Sequence, residues 1–128
     1  NELVVCNRTA VRAMAIRAKR LGYEPIIYST TLEGEAKEAG QLISSLLKPG
    51  QALSAAGETT VTVHGKGQGG RNQELALGAL ATIPPGGLVL SIASDGIDNS
   101  PVAGAFVDHG IKKLAHAKKL KPDRAGEE

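Results

Sequence analysis

Thr59-Thr60-Val61-Thr62-Val63-His64-Gly65-Lys66-Gly67-Gln68-Gly69-Gly70-Arg71-Asn72-Gln73-Glu74-Leu75-Ala76-Leu77 carries the chain through three kinds of backbone in succession. Thr and Val alternate from Thr59 to His64, a pattern that suits a strand with one packed face. Gly65 to Gly70 is a loop, because four glycines in six residues leave the backbone unrestrained. Gln73 to Ala81 predicts a helix whose Leu75, Leu77 and Leu80 turn inward. The order is strand, glycine loop, helix.

The same alternation continues outward in both directions. Leu3-Val4-Val5-Cys6 predicts a short buried strand, and Asn7 can cap the helix after it. Val11, Met14, Ala15, Ala18 and Leu21 recur at helical spacing, with Arg8, Arg12, Arg17, Lys19 and Arg20 largely off that stripe. Gly22 stops the helix and Pro25-Ile26-Ile27-Tyr28 begins the next strand, which completes a βαβ pattern. Ser29-Thr30-Thr31 is expected to open a second helix, with Glu33 and Glu35 near its positive end and Leu42, Ile43, Leu46 and Leu47 along it. A short apolar run, Ala52 to Ala56, follows. Beyond the glycine loop and its helix, Pro84-Pro85-Gly86-Gly87 is a break. Leu88 to Ala93 is apolar apart from Ser91, as in a strand covered on both faces. A last helix begins at Asp108 or His109 and ends before Pro122. The expected fold is α/β: one three-layer, Rossmann-like domain over residues 1–128, its mostly parallel sheet flanked by helices.

At 128 residues the chain is long enough for one core. Aromatic residues make up only 2%, so Ala, Val, Leu and Ile must fill that core. The shortage also argues against a base-stacking nucleic-acid module. A net charge of +2 is too small to imply a polyanionic partner, and the basic residues from Lys112 onward read as a solvated face. Cys6 stands alone, which excludes an intrachain disulfide, and reads as a small core residue. No apolar stretch is long enough to span a bilayer and no signal-peptide pattern is present, so no membrane partner and a cytoplasmic location are expected. The chain starts at Asn1 rather than Met and stops without a closing element, so it is expected to be a piece of something longer.

Two segments carry chemistry. Gly65-x-Gly67-x-x-Gly70 follows a strand and precedes a helix, which formally matches a dinucleotide-binding loop. Four long polar side chains, Arg71 to Glu74, then stand where that motif needs close packing. Glycine N–H groups, the positive end of a helix, the planar fork of Arg71 and the mobile charge of Lys66 together favour an anion. Glu74 has a structural alternative, pairing with Arg71 or closing a cap. The second segment, Asp95-Gly96-Ile97-Asp98-Asn99, puts two carboxylates on a tight turn after an apolar strand, where α/β sheets place their ligands. Asp95 and Asp98 could bind Mg²⁺ or accept a proton from a hydroxyl, or could bond their own backbone in an Asx-turn. His64 adjoins the glycine loop. His109 and His116 read as surface residues, and no Cys/His spacing supports zinc.

Gly-Glu-Thr-Thr-Val-Thr-Val, Gly-Gln-Gly-Gly-Arg-Asn-Gln-Glu-Leu-Ala-Leu, Ser-Asp-Gly-Ile-Asp and Ala-Gly-Ala together resemble the carboxyl-terminal MOFRL region of the glycerate 2-kinase family. The likeness runs from about Leu3 to Asp108. It implies transfer of the γ-phosphoryl group of ATP to the 2-hydroxyl of D-glycerate with Mg²⁺, in a cleft shared with an amino-terminal kinase domain. That domain and its catalytic lysine are absent from this sequence, so the isolated chain is expected to be inactive. The resemblance makes Arg71 a catalytic residue. Taken with the loop and turn chemistry above, Asp95 and Asp98 are expected as catalytic or Mg²⁺-positioning groups, and Lys66, Gly67, Gly69, Gly70, Asn72, Gln73 and Glu74 as substrate- or phosphate-binding groups. The family often carries a further acid after Asp98, where this chain has Asn99-Ser100-Pro101-Val102. Some relatives carry the name hydroxypyruvate reductase, so an NAD(P)-dependent reductase is the alternative enzyme. A non-catalytic binding module is the alternative of another class.

Overall fold

The computed structural model describes residues 6–120. Its elements run α1 (Asn7–Arg20), β1 (Glu24–Leu32), α2 (Ala36–Ser45), β2 (Gln51–Gly57), α3 (Arg71–Ala79), β3 (Leu88–Ile92), β4 (Gly104–Asp108) and α4 (His109–Ala117). The strand expected at Leu3–Cys6 lies outside the described residues except for Cys6. That residue is not in a core: it is exposed and occupies the N-cap position of α1, its Sγ 3.4 Å from Thr9 Oγ1. The bond to Thr9 holds the exposed thiol below its ordinary pKa. Asn7, expected as the cap, is the first helical residue instead.

The α/β class stands, with four helices among the described residues, but the strands pair as two small sheets rather than one mostly parallel sheet. β1 and β2 are parallel, joined through α2 and registered from Glu24 opposite Gln51 to Leu32 opposite Gly57. This pairing keeps Ser29-Thr30-Thr31 in the strand, so α2 starts five residues later than Thr31, at Ala36. Glu35 is the N-cap residue of α2, and its carboxylate faces Thr62, accepting from the backbone N–H and the hydroxyl at 2.7 and 3.0 Å. The Thr59–His64 segment makes only one bridge, Thr60 to Glu35, before it leaves for the glycine loop. It therefore cannot weld the two sheets together.

β3 and β4 are antiparallel, with Leu90 opposite Phe106. A parallel pair needs a crossover of a dozen or more residues, usually a helix. The link between these strands instead folds straight back on itself, with Ala93 N–H donating to Ala103 O at 2.7 Å. Val89 and Val107 of this ribbon are buried, whereas Leu88, Leu90, Ile92 and Phe106 are exposed. The expectation that β3 is covered on both faces thus holds for one face only.

The core lies between α2, α3 and the inner face of the β3–β4 ribbon, built from Ala36, Ala39, Leu75, Ala76, Ala79, Leu80, Ile83, Val89 and Val107. α1 covers the β1–β2 pair through buried Val11. Small residues line the crossing of α2 and α3, because the two helices meet at backbone contact. A Cβ on Gly78 would fall 2.3 Å from Lys37 O, and one on Gly40 would fall 2.0 Å from Leu75 O. Fully buried Ser44 fastens the crossing, its hydroxyl 3.2 Å from Ala79 O and 2.5 Å from Thr82 Oγ1. Replacing Gly78 by Ala forces two helix backbones apart, and such overpacking costs about 1–3 kcal/mol. Urea unfolding of Gly78→Ala should show that loss, while Gly67→Ala, on an open part of the loop, should stay within about 0.5 kcal/mol of the parent.

Candidate functional site

The glycine loop delivers the chain to α3, whose first turn is Arg71-Asn72-Gln73-Glu74. The helix begins two residues earlier than the apolar spacing predicts, because Gly70 O already accepts from Glu74 N–H at 2.9 Å. A helix start leaves its first N–H groups without intrahelical partners. The N-cap residue here is Gly70, which has no side chain to offer. The missing acceptor comes from Asp98, far along the sequence.

Asp98 is only 4% exposed. Its Oδ1 accepts from Asn72 N–H and Asn72 Nδ2, both at 3.0 Å, and its Oδ2 accepts from Gln73 N–H at 2.8 Å and Gln73 Nε2 at 3.3 Å. Gln73 Nε2 also donates to Asp98 O at 3.1 Å and to Ser100 Oγ at 2.8 Å. Ser91, the one polar residue of β3, donates to Asn72 Oδ1 at 2.7 Å and so fixes which way that amide points. Burial pushes the Asp98 carboxyl up, but the donors of Asn72 and Gln73 outweigh it, and the group sits below the usual carboxylate range. The positive end of α3 works in the same direction. Gly70 is glycine because of this carboxylate: a Cβ there would lie 2.2 Å from Asp98 O and 2.4 Å from Oδ1.

These contacts sort the residues singled out from sequence. Asn72, Gln73, Gly70 and Asp98 come together, but they satisfy one another, so the donors expected to meet substrate oxygens already serve a carboxylate of the chain itself. Arg71 is half exposed and pairs with Glu58 at 2.5 Å, not with Glu74. Glu74 is half-buried in the first turn of α3. Lys66 and Gly67 lie on the exposed part of the loop. Asp95 is exposed, and its Oδ1 accepts from Ile97 N–H at 3.1 Å in an Asx-turn. The backbone N–H groups from Gly65 to Arg71 meet no acceptor among the described residues. That leaves a run of free backbone donors leading up to Arg71.

Glu58 and Ser91 were not foreseen. Ser91 could have been, as a hydroxyl alone in an apolar strand. Glu58 could not, because nothing local says that the end of β2 lies beside the start of α3. The chemistry open to the arrangement is anion binding by a guanidinium and free amides. As for Mg²⁺, no group of three or more His, Cys, Asp or Glu side chains converges among the described residues. Asp98 does not fit the ion, with four hydrogen bonds already on its oxygens. Asp95 fits as one carboxylate of the kind Mg²⁺ takes alongside phosphate oxygens. No helix among the described residues is long and apolar enough to cross a membrane.

Residues 51–128 match the MOFRL family, and the chain belongs to it. It is 41% identical over 121 residues to the glycerate 2-kinase of Pyrococcus horikoshii, covering 84% of this chain and 28% of that protein. With the D-glycerate 2-kinase of Thermotoga maritima it shares 40% over 113 residues, 78% of this chain and 27% of that one. The crystal structure of a glycerate kinase from Thermotoga maritima superposes with a TM-score of 0.87 at 33% identity, covering 99% of this chain and 34% of that one. The chain is homologous to the carboxyl-terminal part of glycerate 2-kinases and spans less than a third of the length of the curated relatives it matches.

The Asp98 contacts carry a pH signature. Because the folded carboxyl lies below its unfolded value of about 3.9, its contribution is present in full above that value and lost as the pH falls through the folded one. Denaturant midpoints should therefore drop below pH 4 more steeply for the parent chain than for Asp98→Asn. At neutral pH, Asp98→Ala should cost about 2–3 kcal/mol, since it strips the cap and strands the donors of Asn72 and Gln73.

Proposed function

We propose that residues 1–128 form most of the carboxyl-terminal (MOFRL) domain of a glycerate 2-kinase, acting in a cleft shared with an amino-terminal kinase domain. The reaction is transfer of the ATP γ-phosphoryl group to the 2-hydroxyl of D-glycerate. The observation that carries this reading is the half-exposed Arg71 guanidinium, held by Glu58, at the end of a loop whose backbone amides at 65–71 meet no acceptor among the described residues. The names of the relatives supply the substrate class.

Phosphoryl transfer needs little covalent chemistry from the protein; it needs positioning and charge stabilisation. Arg71 offers two parallel N–H donors to the transferring phosphoryl oxygens or to the glycerate carboxylate. The loop amides of Gly67, Gly69 and Gly70 add donors without bulk, and Lys66 adds a mobile charge. Asp95 orients the attacking hydroxyl or holds Mg²⁺, whose part when bound is to neutralise charge on the phosphate oxygens. Asp98, Asn72 and Gln73 build the site rather than touch substrate. A cytoplasmic place, with ATP at hand, goes with this reading.

An NAD(P)-dependent reductase fits the geometry less well. The dinucleotide motif sets a pyrophosphate on the first N–H groups of the helix. Here the second and third of them already hold Asp98.

The test is coupled-enzyme assay of ATP-dependent glycerate phosphorylation, with the chain alone and with the chain fused to a glycerate 2-kinase amino-terminal domain. The fusion should turn over and the chain alone should not. In the fusion, Arg71→Ala should lose about 30- to 1,000-fold in kcat/KM, the equivalent of roughly 2–4 kcal/mol of transition-state stabilisation. Near-normal turnover of that variant would overturn the assignment, as would robust phosphorylation by the isolated chain.

A further inference from the structure

Asn99 has no part in the chemistry above, yet it is in the left-handed region at φ 53° and its side chain reaches the glycine loop. Asn is among the few residues with a side chain that enter this region readily. The conformation aims Nδ2 at Gly69 O, to which it donates at 3.0 Å. The bond joins the carboxylate turn directly to the glycine loop, one residue beyond the Asp98 cap.

We infer that Asn99 is a positioning residue that locks the Gly69–Gly70 peptide in one orientation, so that Gly70 N–H points outward as a donor to a phosphate or carboxylate oxygen. All described peptides are trans, so the N–H of Gly70 points opposite to the carbonyl of Gly69. With that carbonyl held by Asn99, the N–H turns away from the Asp98–Asn99 turn. It meets no acceptor among the described residues. The loop is open at Gly67 and Gly69, where a Cβ on Gly69 would meet only Gln73 Oε1 at 3.8 Å and one on Gly67 nothing within 4 Å, whereas Gly70 Cα packs against Asp98. A Gly-Gly peptide has little resistance to flipping, because neither residue has a Cβ to bar the alternative. Without the latch it would spend time with the carbonyl outward, repelling the anion it should bind. The role rests on the anion-binding reading of this loop, but the latch itself does not.

The test uses the 128-residue chain, ¹⁵N-labelled, with Asn99→Gly and Asn99→Asp. Glycine keeps the left-handed backbone and removes the amide; aspartate replaces the donor by an acceptor. In ligand-free protein, the order parameters of Gly69 and Gly70 should fall from the rigid range near 0.85 toward the flexible range below 0.6 in both variants, while those of Asn72 and Gln73 stay unchanged. Unaltered Gly69 and Gly70 values in both variants would overturn the latch whatever the loop binds. Tripolyphosphate titration then reads the role. The Gly70 amide should move in the parent chain, and the apparent affinity should fall about fivefold or more in Asn99→Gly. If the variants loosen the peptide and tripolyphosphate shifts no loop amide in the parent, the anion-binding reading fails and the latch survives as structure alone. If the Gly70 amide responds equally in parent and Asn99→Gly, the positioning role is wrong and the anion site stands.

Discussion

A single buried carboxylate at the start of one helix holds this site together. Asp98 replaces the side-chain cap that Gly70 cannot supply, and in doing so pins the turn after β3 to the first turn of α3. Three further consequences depend on it. Gly70 must lack a Cβ, Ser91 must orient Asn72, and Ser100 must meet Gln73. A charge this deeply buried is tolerable because four donors surround it and a helix dipole points at it. Removing any one donor raises the cost of the rest.

The same constraint decides what is left for a ligand. A helix start beside a glycine loop invites an anion, and here the protein has filled the inner part of that position from its own sequence. The outer part stays open: the loop amides, and a guanidinium that Glu58 holds in an exposed pair. Exposed pairs are weak, typically worth under about 1 kcal/mol, so Arg71 can exchange Glu58 for a stronger anion. An arginine held but not consumed is able to meet an incoming anion. Its neighbours Asn72 and Gln73, equally polar on paper, cannot do so without abandoning Asp98.

Much of this was legible in the residues, and the rest was hidden for physical reasons. The glycine loop running into Arg71-Asn72-Gln73-Glu74, and the aspartate turn after an apolar strand, stand out locally and do form the candidate site. The partner of each side chain does not, because it lies across the fold: Asp98 is 26 residues from Asn72, and Glu58 is 13 from Arg71. Sheet pairing has the same difficulty. Alternating Thr and Val at 59–64 has strand character, but only Thr60 finds a bridge, and the short return between β3 and β4 imposes antiparallel pairing. Ser29-Thr30-Thr31 looks like a helix start until β2 draws it into a ladder. The exposed Leu88, Leu90 and Ile92 kept β3 looking doubly covered, since hydrophobicity records what a face prefers and not what lies over it.

The most direct measurement is an NMR titration following the Asp98 side-chain carboxyl carbon together with the Asn72 and Gln73 amides. The expected midpoint lies below the ordinary aspartate value, with the carboxyl and both amides changing together as the cap is lost. An Asp98 that titrates at an ordinary value while those two amides remain unmoved would contradict it, because the carboxylate would then not be what anchors α3.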